Sequence, residues 1–212
     1  DEERARGVVA ASAGNHGQGV ALAASLLDAK STVFMPNGAP LPKVAATKNY
    51  GADVEFCGHT VDEALVEATK FAERTGAVLI HPFDHRDIVS GQATVGLEIL
   101  EQCPDVRTIL VSTGGGGLCS GVALMAKALA PQVKVVAVQA TAAAAFPGSL
   151  KAGHPVALDD MATIADGIAV GRPGDLTLEL VKRYVDQVLT VSEESLSRAL
   201  LFCLERAKLV VE

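Results

Sequence analysis

Short apolar runs rich in β-branched residues alternate with segments of helical periodicity along nearly the whole chain. The strand-like runs are GVVAAS, STVFMP, ADVEFC, AVLIHP, RTILVST, VKVVAVQ and VDQVLTVS. This alternation indicates parallel strands, because a parallel pair needs a long crossover connection that is usually a helix. We therefore predict an α/β fold built on open parallel sheets. Ligands of such folds bind at the carboxyl ends of the strands.

The length of the chain allows either one large domain or two small domains. The 212 residues are 49% hydrophobic, which is ample material for a core. The segment TVDEALVEATKFAERTG has the pattern of a capping box at Thr60 and Glu63 and a helix stop at Gly76.

Composition excludes several classes of protein. A formal charge of −7 argues against a nucleic-acid surface, which needs Lys and Arg for phosphate binding. No apolar stretch is long enough to span a membrane, and DEERAR lacks the pattern of a signal peptide, so we predict a cytoplasmic protein without a membrane partner. The four cysteines have no metal-ligand spacing, so we predict buried thiols and no metal site. They are Cys57, Cys103, Cys119 and Cys203.

Two glycine-bearing loops follow predicted strands and precede predicted helices. The first is SAGNHGQG, residues 12–19, and the second contains Gly114 to Gly117. Unpaired amides at a helix start attract anions, and glycine lets the backbone approach closely, so we predict a phosphate at the second loop rather than a flexible turn. Neither loop matches a Walker motif or a dinucleotide fingerprint, which favours a phosphorylated cofactor over a nucleotide. A Rossmann-like nucleotide-binding domain stays an alternative, and Asn15 could instead cap the following helix.

Five motifs in order carry a family resemblance: SAGNHGQG, HPFD, GQAT, TGGGGL and ADG. Together they resemble the pyridoxal-phosphate enzymes of fold type II, the tryptophan-synthase-β fold, and especially the threonine dehydratase (threonine ammonia-lyase) and serine racemase branch. The resemblance runs from GVVAAS to KLVVE. It implies a pyridoxal 5′-phosphate cofactor and a lyase of amino-acid metabolism, including isoleucine biosynthesis. The reaction would convert L-threonine to 2-oxobutanoate, or L-serine to pyruvate, with release of ammonia.

The resemblance also implies roles for individual residues. The residues expected to bind the substrate carboxylate are Ser12, Ala13, Gly14, Asn15 and His16. Those expected to bind the cofactor are Asn15, at the pyridine 3′-oxygen, Gly114, Gly115, Gly116, Gly117 and Leu118, at the phosphate, and Phe83 and Gly167, at the edge of the pocket. The partners it implies are a small-molecule amino acid and further copies of the chain, in a dimer or tetramer.

The sequence departs from the family pattern at both ends. The family's Schiff-base lysine lies in a Ser-Phe-Lys context before the first glycine loop, whereas all nine lysines here follow that loop. No catalytic residue is therefore assigned, and Glu212, which matches a family glutamate near the active site, is the last residue. The resemblance also implies two α/β lobes, a small lobe over residues 10–82 and a large lobe over residues 83–212 together with residues 1–9. We expect a fragment in which the large lobe is incomplete and which is inactive by itself. A non-catalytic module that binds pyridoxal phosphate or an amino acid is an alternative.

Substitutions within the motifs favour the lyase over a racemase. Ala13 stands where the racemases have the serine that reprotonates the opposite face of the substrate. Gln139 and Ala145 stand where they have acidic ligands of a divalent metal, which prefers carboxylate oxygens. A racemase and a hydroxyectoine-type dehydratase of the same fold remain alternatives. Ala93 replaces a family glycine, and Asp175 is expected to cap a helix.

Overall fold

The computed structural model describes residues 2–211, so Glu212 lies outside the described residues. Contacts divide the chain into two compact units, with the boundary between Pro82 and Phe83. This division puts residues 1–9 in the first unit, where the Val8 amide donates to the Lys30 carbonyl, whereas the sequence prediction puts them in the large lobe.

The first unit contains a four-stranded parallel sheet with the strand order β3-β2-β1-β4. Val9 pairs in register with Thr32, and Ala10 pairs with Val33, so alternate residues of β1 and β2 face opposite sides of the sheet. The elements are α1 (Glu2–Arg6), β1 (Val8–Ala11), α2 (Asn15–Leu26), β2 (Ser31–Met35), α3 (Leu41–Asn49), β3 (Asp53–Phe56), α4 (Val61–Thr75) and β4 (Val78–Ile80).

Two apolar clusters cover the two faces of this sheet. On one face, Val9 packs with Ala64 and Ala68 of α4. On the other, Val33 packs with Ala21 of α2 and with residues of α3. The predicted capping box of α4 is confirmed, because the Glu63 amide donates to Thr60 Oγ1 and the helix ends at Gly76 in the left-handed conformation.

The second unit contains a three-stranded parallel sheet with the order β5-β6-β7. Its core joins Val111 of β5 and Val135 of β6 to Val122 of α6, Phe146 of α7 and Val181 of α8. Short 3₁₀ turns lie at Thr141–Ala143 and Asp166–Ile168, and a π-helical turn at Cys203–Ala207. The elements are α5 (Arg86–Gln102), β5 (Thr108–Ser112), α6 (Gly117–Leu129), β6 (Lys134–Ala140), α7 (Ala145–Ala152), α8 (Asp175–Tyr184), β7 (Gln187–Val191) and α9 (Glu193–Phe202).

The prediction of a parallel α/β fold is confirmed, and each of the seven predicted strands is present. The prediction that all four cysteines are buried is wrong for three of them. Cys119 is buried in the core of the second unit, whereas Cys103 is exposed and Cys57 and Cys203 are half-buried. Within residues 2–211, no helix is long and apolar enough to cross a membrane.

The start of α8 corrects another prediction. Asp175 is the first helical residue rather than the cap, and the residue before it is Gly174. The carboxylate of Asp84 supplies the cap from far away in the sequence, because it accepts from the amides of Asp175 at 3.0 Å and Thr177 at 3.1 Å. A carboxylate at this position satisfies amides that the helix itself leaves unpaired.

The helices α5 and α6 pack closely where both carry small residues, and Ala93 lies in this contact. Ala93 is buried on α5 and faces Gly121 of α6, where a Cβ atom would lie 2.6 Å from the Ala93 nitrogen. Ala93, which stands where the family has glycine, therefore lies on the part of α5 that α6 approaches most closely at Gly121.

Candidate functional site

The second glycine loop connects the end of β5 to the start of α6. Gly115, Gly116 and Gly117 are buried, and α6 is 13 residues long. Among the described residues, no protein group accepts a hydrogen bond from the amides of Gly114 to Cys119. Buried amides without an acceptor are costly, and those at the start of a helix carry its positive end, so this segment has the donor set that a phosphate needs. We call residues Gly114–Gly117 the glycine cup.

Packing requires glycine at three of the four positions of the cup. A Cβ atom on Gly115 would lie 2.5 Å from Cε1 of Phe83, and one on Gly117 would lie 2.9 Å from Cβ of the same residue. Gly116 has φ of +97°, and a Cβ there would lie 2.6 Å from Cζ of Phe146. The run of glycines is therefore built into the surrounding packing and is not a loose turn.

Three further residues of the second unit are predicted to bind the cofactor, and the structure places each in a different environment. Phe83 packs directly against it, and Leu118 directs its side chain into the core of the second unit, which leaves its amide for a ligand. Gly167 is exposed and has open space around it, whereas the backbone of its neighbour Ile168 comes within 3.1 Å of a Cβ placed on Gly114. The close approach expected of Gly167 is thus made by Ile168, which the sequence did not identify.

Gln139 and Ala145 stand where the racemases have acidic metal ligands, and both are buried in the second unit. The side chain of Gln139 donates to the carbonyl of Thr113 at 3.1 Å and accepts from the amide of Phe146 at 3.0 Å. Ala145 begins α7 and has no oxygen in its side chain to offer a cation. Across residues 2–211, no group of three or more His, Cys, Asp or Glu side chains is arranged to hold a metal ion.

The cysteine nearest the cup is a buried thiol that stays protonated near neutral pH. Cys119 lies in the first turn of α6, and burial raises the pKa of its thiol to about 11. The thiolate, which is the reactive form, is therefore scarce near neutral pH.

The first glycine loop turns at the end of β1 in the first unit. Ser12 is buried, its amide donates to the Phe34 carbonyl, and its hydroxyl oxygen accepts from the Gly14 amide at 3.0 Å. Asn15 is exposed and is the first residue of α2, while Gly14 occupies the cap position without a side-chain bond. The alternative that Asn15 caps the helix is therefore wrong. Within the described part of the chain, no protein group accepts from the amides of Ala13, Asn15 or His16.

His16 ties this turn to the neighbouring strand. Its Nε2 atom lies 3.0 Å from the carbonyl oxygen of Ile80, at the end of β4. A carbonyl only accepts, so Nε2 carries the proton. Desolvation by burial lowers the pKa of His16 below its usual value, and the imidazole is neutral near pH 7.

Close packing explains one glycine of this loop, Gly17, but not Gly14. A Cβ atom on Gly17 would lie 3.0 Å from Cγ1 of Val33 and 3.1 Å from Cβ of Ser12, so only glycine lets α2 begin so close to the sheet. A Cβ on Gly14 would make ordinary contact at 3.5 Å with Nζ of Lys43. The structure therefore brings a cationic side chain to the turn, which no local pattern around Lys43 indicates.

The model of the pyridoxal-phosphate dependent enzyme family matches residues 1–212. The chain belongs to this family. The L-threonine ammonia-lyase of Thermotoga maritima is 50% identical over all 212 residues, which cover 53% of that protein. The biosynthetic L-threonine dehydratase of Salmonella typhimurium is 40% identical, and the chain covers 41% of it. Thus the chain spans about half the length of these relatives.

Solved structures of the family show the same fold. The processed form of threonine deaminase isoform 2 from Solanum lycopersicum superposes with a TM-score of 0.92 at 37% identity, over all of this chain and 62% of that one. Maize serine racemase gives a TM-score of 0.93 at 40% identity, over all of this chain and 64% of that one. The predicted family, the fold and the pyridoxal-phosphate cofactor are confirmed. The nucleotide-binding alternative is wrong.

Proposed function

We propose that the chain forms the cofactor and substrate sites of a pyridoxal-phosphate dependent ammonia-lyase that acts on L-threonine or L-serine. The products are 2-oxobutanoate or pyruvate, with ammonia. The observation that carries this proposal is the glycine cup, whose buried amides have no acceptor among the described residues of the second unit. The similarity to L-threonine ammonia-lyases along the whole chain supports the choice of reaction.

Each loop binds one anion in this proposal. The amides of the glycine cup and of Leu118 hold the cofactor phosphate, and Phe83 and Gly167 border the cofactor. When bound, the cofactor withdraws electrons from the substrate α-carbon. The amides of residues 12–16 hold the substrate carboxylate.

The side chains of the first loop have distinct roles. The Ser12 oxygen already accepts from the Gly14 amide, so its hydroxyl proton remains available for a carboxylate oxygen. Asn15 keeps the role that the family resemblance gives it, a hydrogen bond from its side chain to the cofactor's 3′-oxygen. The neutral His16 holds the start of α2 against β4 without adding a charge to the turn.

Two features support a lyase over a racemase. Ala13 has no hydroxyl with which to return a proton to the opposite face of the substrate. The Gln139 amide is hydrogen-bonded at both ends, so it is not available as a ligand for a divalent cation. The similarity to maize serine racemase makes racemisation the second candidate, and the same assay separates the two.

The test uses the full-length gene product supplied with pyridoxal phosphate. L-Threonine should yield 2-oxobutanoate and L-serine should yield pyruvate, both measured as keto acids. D-Serine without pyruvate, detected by chiral chromatography, would establish the racemase instead. Bound cofactor with no product from either amino acid would establish the non-catalytic binding module.

A matched pair of serine variants tests whether residues 12–16 bind the substrate carboxylate. Ser12 and Ser31 are both buried to 5% exposure in the first unit. Ser12→Ala should raise KM for L-threonine about tenfold or more, because a hydrogen bond to a charged group contributes about 1.5–3 kcal/mol. Ser31→Ala should leave KM unchanged. Equal KM values for the two variants would argue against binding of the substrate carboxylate by residues 12–16.

We further propose the setting in which this activity operates. The protein acts in the cytoplasm, and it assembles as a dimer or tetramer. The lobes extend over residues 10–82 and from residue 83 onward. A biosynthetic L-threonine dehydratase among the relatives supports a role in isoleucine biosynthesis.

A further inference from the structure

Two buried side chains donate hydrogen bonds to backbone carbonyls, one within the glycine cup and one directly before it. Thr177 Oγ1 donates to the Gly115 carbonyl at 2.7 Å, and Gln139 Nε2 donates to the Thr113 carbonyl at 3.1 Å. Both side chains are fully buried, and they come from α8 and β6 respectively. Neither contact involves a group that the proposed reaction needs.

These two carbonyls control the direction of two cup amides. A peptide unit is planar and trans, so its carbonyl oxygen and its N–H group point in opposite directions. The Thr113 carbonyl shares a peptide unit with the Gly114 amide, and the Gly115 carbonyl shares one with the Gly116 amide. A carbonyl held toward the protein interior therefore turns the paired amide away from it.

The two donors are themselves fixed in place. The Oε1 atom of Gln139 accepts from the Phe146 amide, so the amide group of Gln139 has only one orientation that satisfies both of its ends. Thr177 Oγ1 also accepts from the Gly174 amide at 3.1 Å. The carboxylate of Asp84 holds the Thr177 amide at 3.1 Å.

We propose that Thr177 and Gln139 are positioning residues that aim the Gly114 and Gly116 amides at the cofactor phosphate. The inference rests on the proposed function, because it requires the cup to hold that phosphate. Glycine peptide units rotate more freely than others, so a run of four needs restraints to present its amides in one direction. Thr177 and Gln139 restrain the cup through the backbone carbonyls that they hold, and neither side chain contacts the phosphate.

A threonine-to-valine pair tests this role in the full-length gene product. Thr177→Val keeps the shape of the side chain and removes the hydroxyl that holds Gly115. It should weaken the affinity for inorganic phosphate and for pyridoxal phosphate about 3- to 10-fold, the range expected for the loss of one neutral hydrogen bond. Thr177→Ser keeps a hydroxyl and should restore the affinity to within about twofold.

Thr47→Val is the control. Thr47 is also fully buried and its hydroxyl also donates to a backbone carbonyl, that of Lys43, but it lies in the first unit. The control should lose thermal stability as Thr177→Val does, while its affinity for phosphate stays at the wild-type value. Wild-type affinity in Thr177→Val, or equal weakening in the two valine variants, would overturn the inference.

A measurement on the wild-type protein removes any dependence on the folding of variants. Added inorganic phosphate should slow residue-resolved hydrogen exchange at the amides of Gly114 and Gly116. Slowing confined to other amides would overturn the positioning role while leaving the proposed function intact. A wild-type protein that binds neither phosphate nor pyridoxal phosphate would instead refute the proposed function.

Discussion

Replacing Gly115 by alanine should place a methyl group inside the space occupied by the Phe83 ring. The new Cβ would lie 2.5 Å from Cε1 of Phe83, where ordinary contact begins at 3.4 Å. The ring or the cup must therefore move by about 1 Å, and overpacking of this size destabilises by about 1–3 kcal/mol. The φ angle of Gly115 is not in the positive range, so this cost comes from sterics alone.

Urea denaturation with and without pyridoxal phosphate measures the effect. Gly115→Ala should lower the free energy of unfolding by about 1–3 kcal/mol and weaken cofactor binding. Gly148→Ala is the matched control, because Gly148 lies within α7 with open space around it, and alanine there should be neutral or stabilising. The double variant with Phe83→Leu should recover about 1 kcal/mol relative to the sum of the single effects. Additive effects would refute the steric argument.

Two further predictions concern stability in the second unit. Gly121→Ala should destabilise by about 2 kcal/mol or more, because its Cβ would lie 2.6 Å from the backbone nitrogen of Ala93, and backbone yields less readily than a side chain. An unfolding free energy equal to that of Gly148→Ala would contradict the close helix contact. The Lys127 ammonium and a backbone amide lower the pKa of Asp186. Its contribution is therefore present above the unfolded pKa of about 4 and is lost as pH falls through the lower folded value, so the destabilisation caused by Asp186→Asn should be smaller in acid than at pH 7.

Local sequence signals are sufficient for the seven strands, for helix α4 and for the family. The seven strands follow from apolar alternation, and the ends of α4 follow from Thr60, Glu63 and Gly76, because each signal acts within a few residues. The two glycine loops were likewise found from their position between strand and helix. Their motifs in order were enough to predict the cofactor.

Contacts between distant segments could not be predicted in this way. Asp84 caps a helix that begins 91 residues later, and the bond from Gln139 to Thr113 spans 26 residues. The place of Ala93 against Gly121 likewise depends on how two helices pack. The sequence shows only that Gln139 has an amide where the racemases have a carboxylate that binds a metal. The structure adds that both ends of this amide are hydrogen-bonded.

The cup is tested most directly by a crystal structure of the full-length gene product with pyridoxal phosphate. We predict that the amide nitrogens of Gly114 and Gly116 lie about 2.7–3.2 Å from phosphate oxygens, the range of ordinary hydrogen bonds. A phosphate held by lysine or arginine side chains elsewhere, with no oxygen near these two amides, would contradict the account.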